Sequence, residues 1–439
     1  MPRSAIWFFG DQHRGQALGF AGDPNLHTPH IDRLATEGLV FSAAYSGSPL
    51  CSPARGSLMT GRYPHNAVPG HEHPLPQGQE TVASVFKQNG YRTAYFGKWH
   101  LDGFKEAGGR RAAMHIVPPE RRGDFDDWIA YENNNSPWDS WVHGGEGETA
   151  FHRRLPGFET DSLTDLLIEF LQERQSDGAP FFAVLSVQPP HDPYAAPAEW
   201  MARHNAGTVM LRENVPPVPR VVERARRELS GYYAMIENLD WNLGRLRAAL
   251  EETELAEETH LLVFADHGDM LGSHGQFRKT APWEEATRIP CIVAGGRPHY
   301  GDISGLTDIP LNTVDLAPTT LGLCDIDPPG LMQGTDLSWR RRADRQRTEP
   351  PDSAYMQIVV PTRHWDSVDR PWRGVVTRDR WKYVALEGQP WLMFNLNEDP
   401  LELVNLAHDT HFAEQRRRLQ DRLAAWIDYT GDDFTLPEL

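Results

Sequence analysis

The sequence predicts an α/β fold, a mostly parallel β-sheet covered by helices on both faces. Three observations lead there. Short apolar runs recur through the first three quarters of the chain. They are continuous rather than alternating, as in strands buried on both faces. Between them lie amphipathic segments of helical period.

The elements follow in order. "AIWFF" (5–9) is the first strand, and "HIDRLATEG" (30–38) is a helix capped at Gly38. "TAYFG" (93–97) is a second strand. "TDSLTDLLIEFLQERQSDG" (160–178) is a helix with Thr160 or Asp161 as N-cap. It places Leu163, Leu166, Leu167, Phe170 and Leu171 on one face. "FFAVLSV" (181–187) is a strand, and a long amphipathic helix covers 224–253. "HLLVFADHG" (260–268) and "IPCIVAGG" (289–296) complete the set of buried strands. The Arg-rich, Pro-containing stretch "WRRRADRQRTEPPD" (339–352) reads as a linker or surface crossing. Short β-type runs and a helix around 412–428 follow it. The expected division is a main α/β domain over 1–351 and a small α+β subdomain over 352–439.

Composition narrows the function classes. Of 439 residues, 39% are hydrophobic and 24% charged, a globular balance. The formal net charge of −18 argues against nucleic acid or an anionic membrane as partner. An anionic small molecule must then be held by a local cluster of cations. Three cysteines, at 51, 291 and 324, are too few for a disulfide framework. No run of eighteen apolar residues predicts a membrane span. The N-terminal apolar run is too short for a secretory signal. The expected compartment is the cytoplasm, or the periplasm if a leader has been removed.

In open α/β sheets, ligands gather at the carboxyl ends of the strands. Four polar clusters follow predicted strands there. "DQHR" carries Asp11 and Gln12, "GKWHLD" carries Lys98 and His100, "QPPHDPY" carries His191, and "ADHGDMLGSHG" carries Asp266 and His267. Asp11, Asp266 and the amide oxygen of Gln12 are hard ligands for a divalent cation. His267 adds an imidazole, which shifts preference toward borderline metals such as Mn²⁺ relative to an all-oxygen Ca²⁺ cage. Arg55, Lys98 and Lys279 supply positive charge. Cations beside a metal, in a chain this acidic, describe a site for a tetrahedral oxyanion.

A further stretch, "CSPARGSLMTGR" from Cys51, resembles the signature of the sulfatase family. "YRTAYFGKWHL", "PPHDPY", "ADHGDMLGSHG" and "RDRWKYV…FNLNEDPLELVNLA" resemble that family in order and spacing, over nearly the whole chain. The resemblance implies an alkaline-phosphatase-like fold and hydrolysis of aryl or carbohydrate sulfate monoesters. It implies that Cys51 is oxidised by a formylglycine-generating maturation enzyme to formylglycine, an aldehyde. Hydrated, residue 51 would attack sulfur with one hydroxyl and expel sulfate by deprotonation of the other. One divalent metal ion, Ca²⁺ or Mn²⁺, is implied at Asp11, Gln12, Asp266 and His267, with residue 51 completing its shell. Arg55 and Lys98 match the residues that orient the hydrated aldehyde. His100 matches the base of the elimination, His191 the acid for the leaving oxygen, and Lys279 the cation on the sulfate oxygens.

The Asp-Gln and Asp-His pairs depart from the Asp-Asp and Asp-Asn pairs of many members. They resemble the branch containing phosphonate monoester hydrolases and some alkyl sulfatases. Phosphonate monoester or phosphodiester hydrolysis with the same residues is therefore the alternative activity. An unmodified, inactive anion-binding homologue is the alternative of another class, and a homo-oligomer stays open. Two readings stand for "GDFDDWIAYENNNSPWDSWVHGG" (123–145), with Trp128, Tyr131, Trp138 and Trp141 among three asparagines. It is a pocket wall for a sugar or aryl group, or a loop packing its aromatics on the domain. His71 and His73 are likewise pocket wall or solvated loop.

Overall fold

A computed structural model describes residues 3–106, 109–296, 303–362 and 368–438. In chain order the elements begin with β1 (Ser4–Gly10), α1 (Pro29–Glu37), β2 (Leu39–Phe41), β3 (Ala44–Tyr45), α2 (Cys51–Thr60), α3 (Val82–Gln88) and β4 (Arg92–Lys98). Then come β5 (Asp127–Tyr131), β6 (Trp141–Gly144), β7 (Phe151–Arg154), α4 (Glu159–Asp177), β8 (Phe181–Val187), α5 (Ala198–Met201) and α6 (Pro219–Glu252). β9 (Thr259–Ala265), α7 (Glu284–Thr287), β10 (Cys291–Gly295), β11 (Gly305–Thr307), β12 (Leu311–Asn312) and α8 (Thr313–Leu323) follow. The chain closes with β13 (Ser353–Ile358), β14 (Trp372–Thr377), β15 (Trp381–Leu386), β16 (Gln389–Asn395) and α9 (Ala413–Thr430).

The large sheet has ten strands in the order β11-β2-β10-β9-β1-β8-β4-β5-β6-β7. Its centre, from β9 to β5, is parallel. β10 on one side and the β6–β7 pair on the other run antiparallel to their neighbours. β1, β8 and β9 are buried at every position, which explains their unbroken apolar runs. Side chains alternate between faces. Trp7 and Phe9 join one apolar cluster with Val68 and Leu316, while Ile6 and Phe8 join another with Leu163, Leu167 and Leu243. The expected apolar face of α4 lies in that second cluster.

Two local expectations change. Phe158, not Thr160 or Asp161, is the N-cap of α4. Asp161 lies inside the first turn and accepts hydrogen bonds from the amides of Asn238 and Asn242 on α6. Gly38 does cap α1, but in an extended conformation. Glycine is needed there for clearance, since a Cβ would sit 2.8 Å from Ala294 Cβ and from Val293 O.

β13–β16 form an antiparallel four-stranded sheet. One of its faces packs with Ala43, Tyr45 and Leu50, the other with α9 and with Tyr63 and Val314. No helix among the described residues is long and apolar enough to cross a membrane.

Candidate active site

Register brings the catalytic candidates together. β1 and β9 are parallel neighbours with Gly10 opposite Ala265. The next residues, Asp11 and Asp266, therefore leave the sheet side by side. β8 flanks β1 on its other side, with Val187 opposite Gly10, and the segment to His191 continues from it. β4 lies beyond and ends at Lys98. The four polar clusters expected after strands thus emerge at one sheet edge.

Cys51 arrives from a helix instead, as the first residue of α2. Pro53 occupies the first turn, where a backbone N–H has no intrahelical acceptor to lose. Arg55 follows one turn later on the same face. Gly56 lets α2 approach its neighbour, because a Cβ there would meet Val68 Cγ2 at 2.7 Å. The motif is a helix start shaped to hold residue 51 at the positive end of the helix dipole.

The side chains converge tightly. Cys51 Sγ lies 3.3 Å from His267 Nε2, 3.6 Å from Asp11 Oδ1 and 3.0 Å from Lys279 Nζ. Lys279 Nζ also donates to Gln12 Oε1 at 2.8 Å and meets His191 Nε2 at 2.8 Å. Lys98 Nζ and Arg55 Nη2 both reach Asp11 Oδ2, at 2.6 and 3.1 Å. Arg55 Nη1 is anchored on Lys98 O and on the hydroxyl of Ser186. His100 and His71 stand near Cys51, ring to ring at 5.2 Å. Gln12 (φ 69) and His100 (φ 57) hold left-handed backbone conformations, which non-glycine residues adopt at a cost met by the surrounding structure.

Electrostatics follow from this crowding. Burial pushes the Cys51 thiol up, but Lys279, Lys98 and His267 outweigh it and hold it well below its ordinary value. Burial and Cys51 raise the Asp11 carboxyl, yet Lys98, His191 and Arg55 carry it below the usual carboxylate range. Burial and the charge of Asp11 raise Asp266. His100 is pushed down to about 3, chiefly by burial, with Lys98 and His71 adding repulsion. It is therefore a neutral imidazole near neutral pH, the form a base requires.

The donor set fits a divalent cation. Asp11, Cys51, Asp266 and His267 can each offer a ligand atom, all within 4.8 Å of one another. Among the described residues Asp266 Oδ2 is buried without a hydrogen bond, although Arg55 Nε lies 3.2 Å away. His267 Nδ1 is engaged by Gly268 O at 2.9 Å, which leaves Nε2 to face the cluster.

The cluster opens into a cavity of about 320 Å³. Cys51, Lys98, His100, His191 and Lys279 line its floor; His71, Asn133, Asn135, Asp192 and Arg278 line the rest. For segment 123–145 the structure favours packing of the aromatics on the domain over an aromatic pocket wall. It is not one continuous loop, because β5 and β6 run through it. Trp128 and Tyr131 are buried in the apolar core, Trp138 packs on Phe158, and Trp141 packs on His152. None of these aromatics lines the cavity; two asparagines beyond β5 do. His71 is pocket wall, whereas His73 is exposed. Ser186, Asp192, Arg278 and Asp269 are not singled out by the sequence. Asp192, Arg278 and Asp269 have only nearness to chosen candidates as a signal, and Ser186 is a lone polar residue inside the apolar run of β8.

Fold and site together define a hydrolase of the alkaline-phosphatase-like class. Within it, the chain belongs to the sulfatase family, whose model matches residues 3–326. The model of the C-terminal region of N-sulphoglucosamine sulphohydrolase matches residues 272–428. An ulvan-active sulfatase of Formosa agariphila is 32% identical over 98% of this chain and 82% of its own length. The solved sulfatase candidate yidJ of Bacteroides fragilis has a TM-score of 0.84 at 27% identity, covering 99% of this chain and 97% of its own. The phosphonate monoester hydrolase of Agrobacterium radiobacter shares the fold with a TM-score of 0.78 at 20% identity, over 98% and 96% of the two chains.

Proposed function

We propose that the protein hydrolyses sulfate monoesters of hydroxyl-rich alcohols, the carbohydrate class, through formylglycine at position 51. One observation carries this reading. Lys279 Nζ lies 3.0 Å from Cys51 Sγ and 2.8 Å from His191 Nε2. A single cation thus stands between the nucleophile position and the candidate acid, where the oxygens of a sulfate under attack would need it. The cavity's lining of asparagines, histidines, Asp192 and Arg278 favours hydroxyl groups over an aryl face. Asn133 Oδ1 is buried there without a hydrogen-bond partner among the described residues.

Asp11, Gln12, Asp266 and His267, with residue 51, would hold one divalent cation, Ca²⁺ or Mn²⁺. When bound, that cation supplies Lewis acidity toward a sulfuryl oxygen and lowers the pKa of the residue 51 hydroxyl. Hydrated formylglycine supplies the nucleophilic hydroxyl and a second one that allows sulfate to leave. Arg55 and Lys98 fix Asp11 and crowd residue 51 with positive charge. His100 takes a proton at its imidazole, and His191 gives one to the leaving oxygen. Cys51 is 1% exposed, so the maturation enzyme would have to act before the chain folds around it.

The test has two parts. Protein from its native source should show residue 51 lighter by about 18 Da, the exchange of sulfur and two hydrogens for oxygen in thiol oxidation to an aldehyde. The matured enzyme should then turn over sulfated sugars ahead of nitrophenyl sulfate and of phosphonate monoesters. Unmodified cysteine in native protein would support the anion-binding alternative. Preference for phosphonate esters would support the reading suggested by the Gln12 and His267 pattern and the shared fold.

A further inference from the structure

Gln12 presents an ambiguity that Asp11 and Asp266 do not. A carboxamide can show either an oxygen or an NH₂ group to the site, and only the oxygen can bind a cation. Shape does not distinguish the two ends; hydrogen-bond partners do. Gln12 Nε2 donates to Asp269 Oδ2 at 2.5 Å, and Gln12 Oε1 accepts from Lys279 Nζ at 2.8 Å. An ionised carboxylate only accepts and an ammonium only donates. Both partners select the same orientation.

Asp269 is itself held from several sides. It is fully buried. Its Oδ1 accepts from the backbone N–H groups of Leu271 and Arg278, at 3.1 and 3.0 Å. Its Oδ2 also accepts from the Tyr194 hydroxyl at 2.5 Å. Arg278 Nη1 donates to that same hydroxyl at 2.9 Å. Since a guanidinium cannot accept, the Tyr194 proton must turn toward Asp269. Donation therefore runs from Arg278 through Tyr194 to Asp269, and Gln12 donates to the same carboxylate.

We propose that Asp269, aligned by Tyr194, is a positioning residue that fixes the Gln12 carboxamide with its oxygen toward the cation site. The inference rests on the metal reading above. Asp269 touches neither substrate nor cation; it acts through Gln12.

The probe is Mn²⁺ alone, with the free ion read by electron paramagnetic resonance against full-length, metal-free protein. Asp269→Asn should bind Mn²⁺ about 10–100-fold more weakly, the usual consequence of losing a group that orients a ligand. Tyr194→Phe should weaken binding by a few-fold. The decisive measurement repeats Asp269→Asn in a Gln12→Glu background. There the carboxylate at position 12 gains a donor and loses a like charge, so the same substitution should strengthen Mn²⁺ binding. A long-range charge effect or a fold role for Asp269 would weaken it in both backgrounds, and that result would overturn the proposal. So would Asp269→Asn binding Mn²⁺ within twofold of the parent. If Asp269→Asn fails to fold, Tyr194→Phe decides, and unchanged affinity in that variant counts against the inference. A parent protein that binds no Mn²⁺ removes the metal reading and this inference together, whereas normal parent binding with an indifferent Asp269→Asn removes this inference alone.

Discussion

Two of the clusters of buried charge among the described residues behave differently. One surrounds Cys51. The other lies where α7 meets the C-terminal sheet. There Lys382 Nζ reaches Glu402 Oε1 at 2.7 Å, Glu284 Oε1 at 2.8 Å and Pro282 O at 3.0 Å. The ammonium is surrounded by oxygen, two of the three atoms belonging to carboxyl groups. Lys279, equally buried, meets a thiol, an amide oxygen and an imidazole. None of the three is a carboxylate, and Lys279 faces a cavity. Buried charge by itself does not mark a site, because structural ion pairs also bury charge. Charge held without a carboxylate against it, beside open space, does.

The comparison breaks most visibly at Cys51. Cys51→Ala should abolish sulfate-ester turnover while leaving thermal unfolding within a few degrees of the parent. Cys51→Ser keeps one hydroxyl beside the cations but has no second one through which sulfate can leave. It should show at most about one turnover and gain roughly 80 Da, the trapped group expected of interrupted covalent catalysis. Fast repeated turnover by Cys51→Ser, with no adduct in the mass spectrum, would remove the hydrated aldehyde from the mechanism.

The two lysines should separate stability from activity. Lys382→Met strands buried carboxylates and should destabilise the fold by about 3–5 kcal/mol, with kcat per folded molecule near that of the parent. Lys279→Met should lower kcat/KM by about 10²–10³-fold, the scale of a lost oxyanion donor, and shift stability far less. Denaturant midpoints alongside kinetics would check both. Equal destabilisation by the two substitutions would mean that Lys279 belongs to the packing, as Lys382 does.

What the sequence reveals divides along the same line. Asp11, Lys98, His191 and Asp266 are legible because each follows an apolar strand, and parallel register carries strand ends to one edge. The seam is not. Glu284, Lys382 and Glu402 are far apart in the chain, and nothing local announces that a helix turn and a β-strand will meet. Asp269 is hidden in a different way. It stands two residues beyond His267 in a motif already chosen, yet its contact with Gln12 spans more than 250 residues. Trp128 and Tyr131 mislead because aromatic residues beside asparagines suggest a sugar site, whereas strand alternation sends those rings into the core and leaves the amides at the strand's end.

A subtler separation lies within the catalytic cluster. If His191 protonates the leaving oxygen, its value depends on how basic that oxygen becomes. His191→Ala should lower kcat/KM for sugar sulfates by about 10²–10⁴-fold, the range of general acid catalysis. Nitrophenyl sulfate, with an acidic leaving group, should lose far less. Parallel losses across a leaving-group series would restrict His191 to holding Lys279 in place.

An effect that leaves activity untouched concerns how the seam disposes of its own excess charge. Burial, first, pushes the Glu402 carboxyl up to about 8; Lys382 opposes this, while Glu284 and Glu285 add repulsion. Glu284 moves the other way, to about 2, because Lys382, Arg380 and Arg288 outweigh its burial. Cations thus favour the ionised form of Glu284, while burial and the neighbouring carboxylates favour a proton on Glu402. Stability responds to pH accordingly. Below the unfolded value of 4.5, both states hold the Glu402 proton and its contribution is fully present. As pH rises toward 8 the unfolded chain releases that proton while the folded chain keeps it, so stability falls. Glu402→Gln carries no proton to lose. Its stability advantage over the parent should therefore grow between pH 5 and pH 8.5 by a few kcal/mol, since each tenfold difference in proton affinity between the two states is worth about 1.4 kcal/mol. Urea midpoints at three pH values would show the two curves diverging. Curves that stay parallel would mean that Glu402 is ionised in the folded protein, and that the seam balances its charge with cations alone.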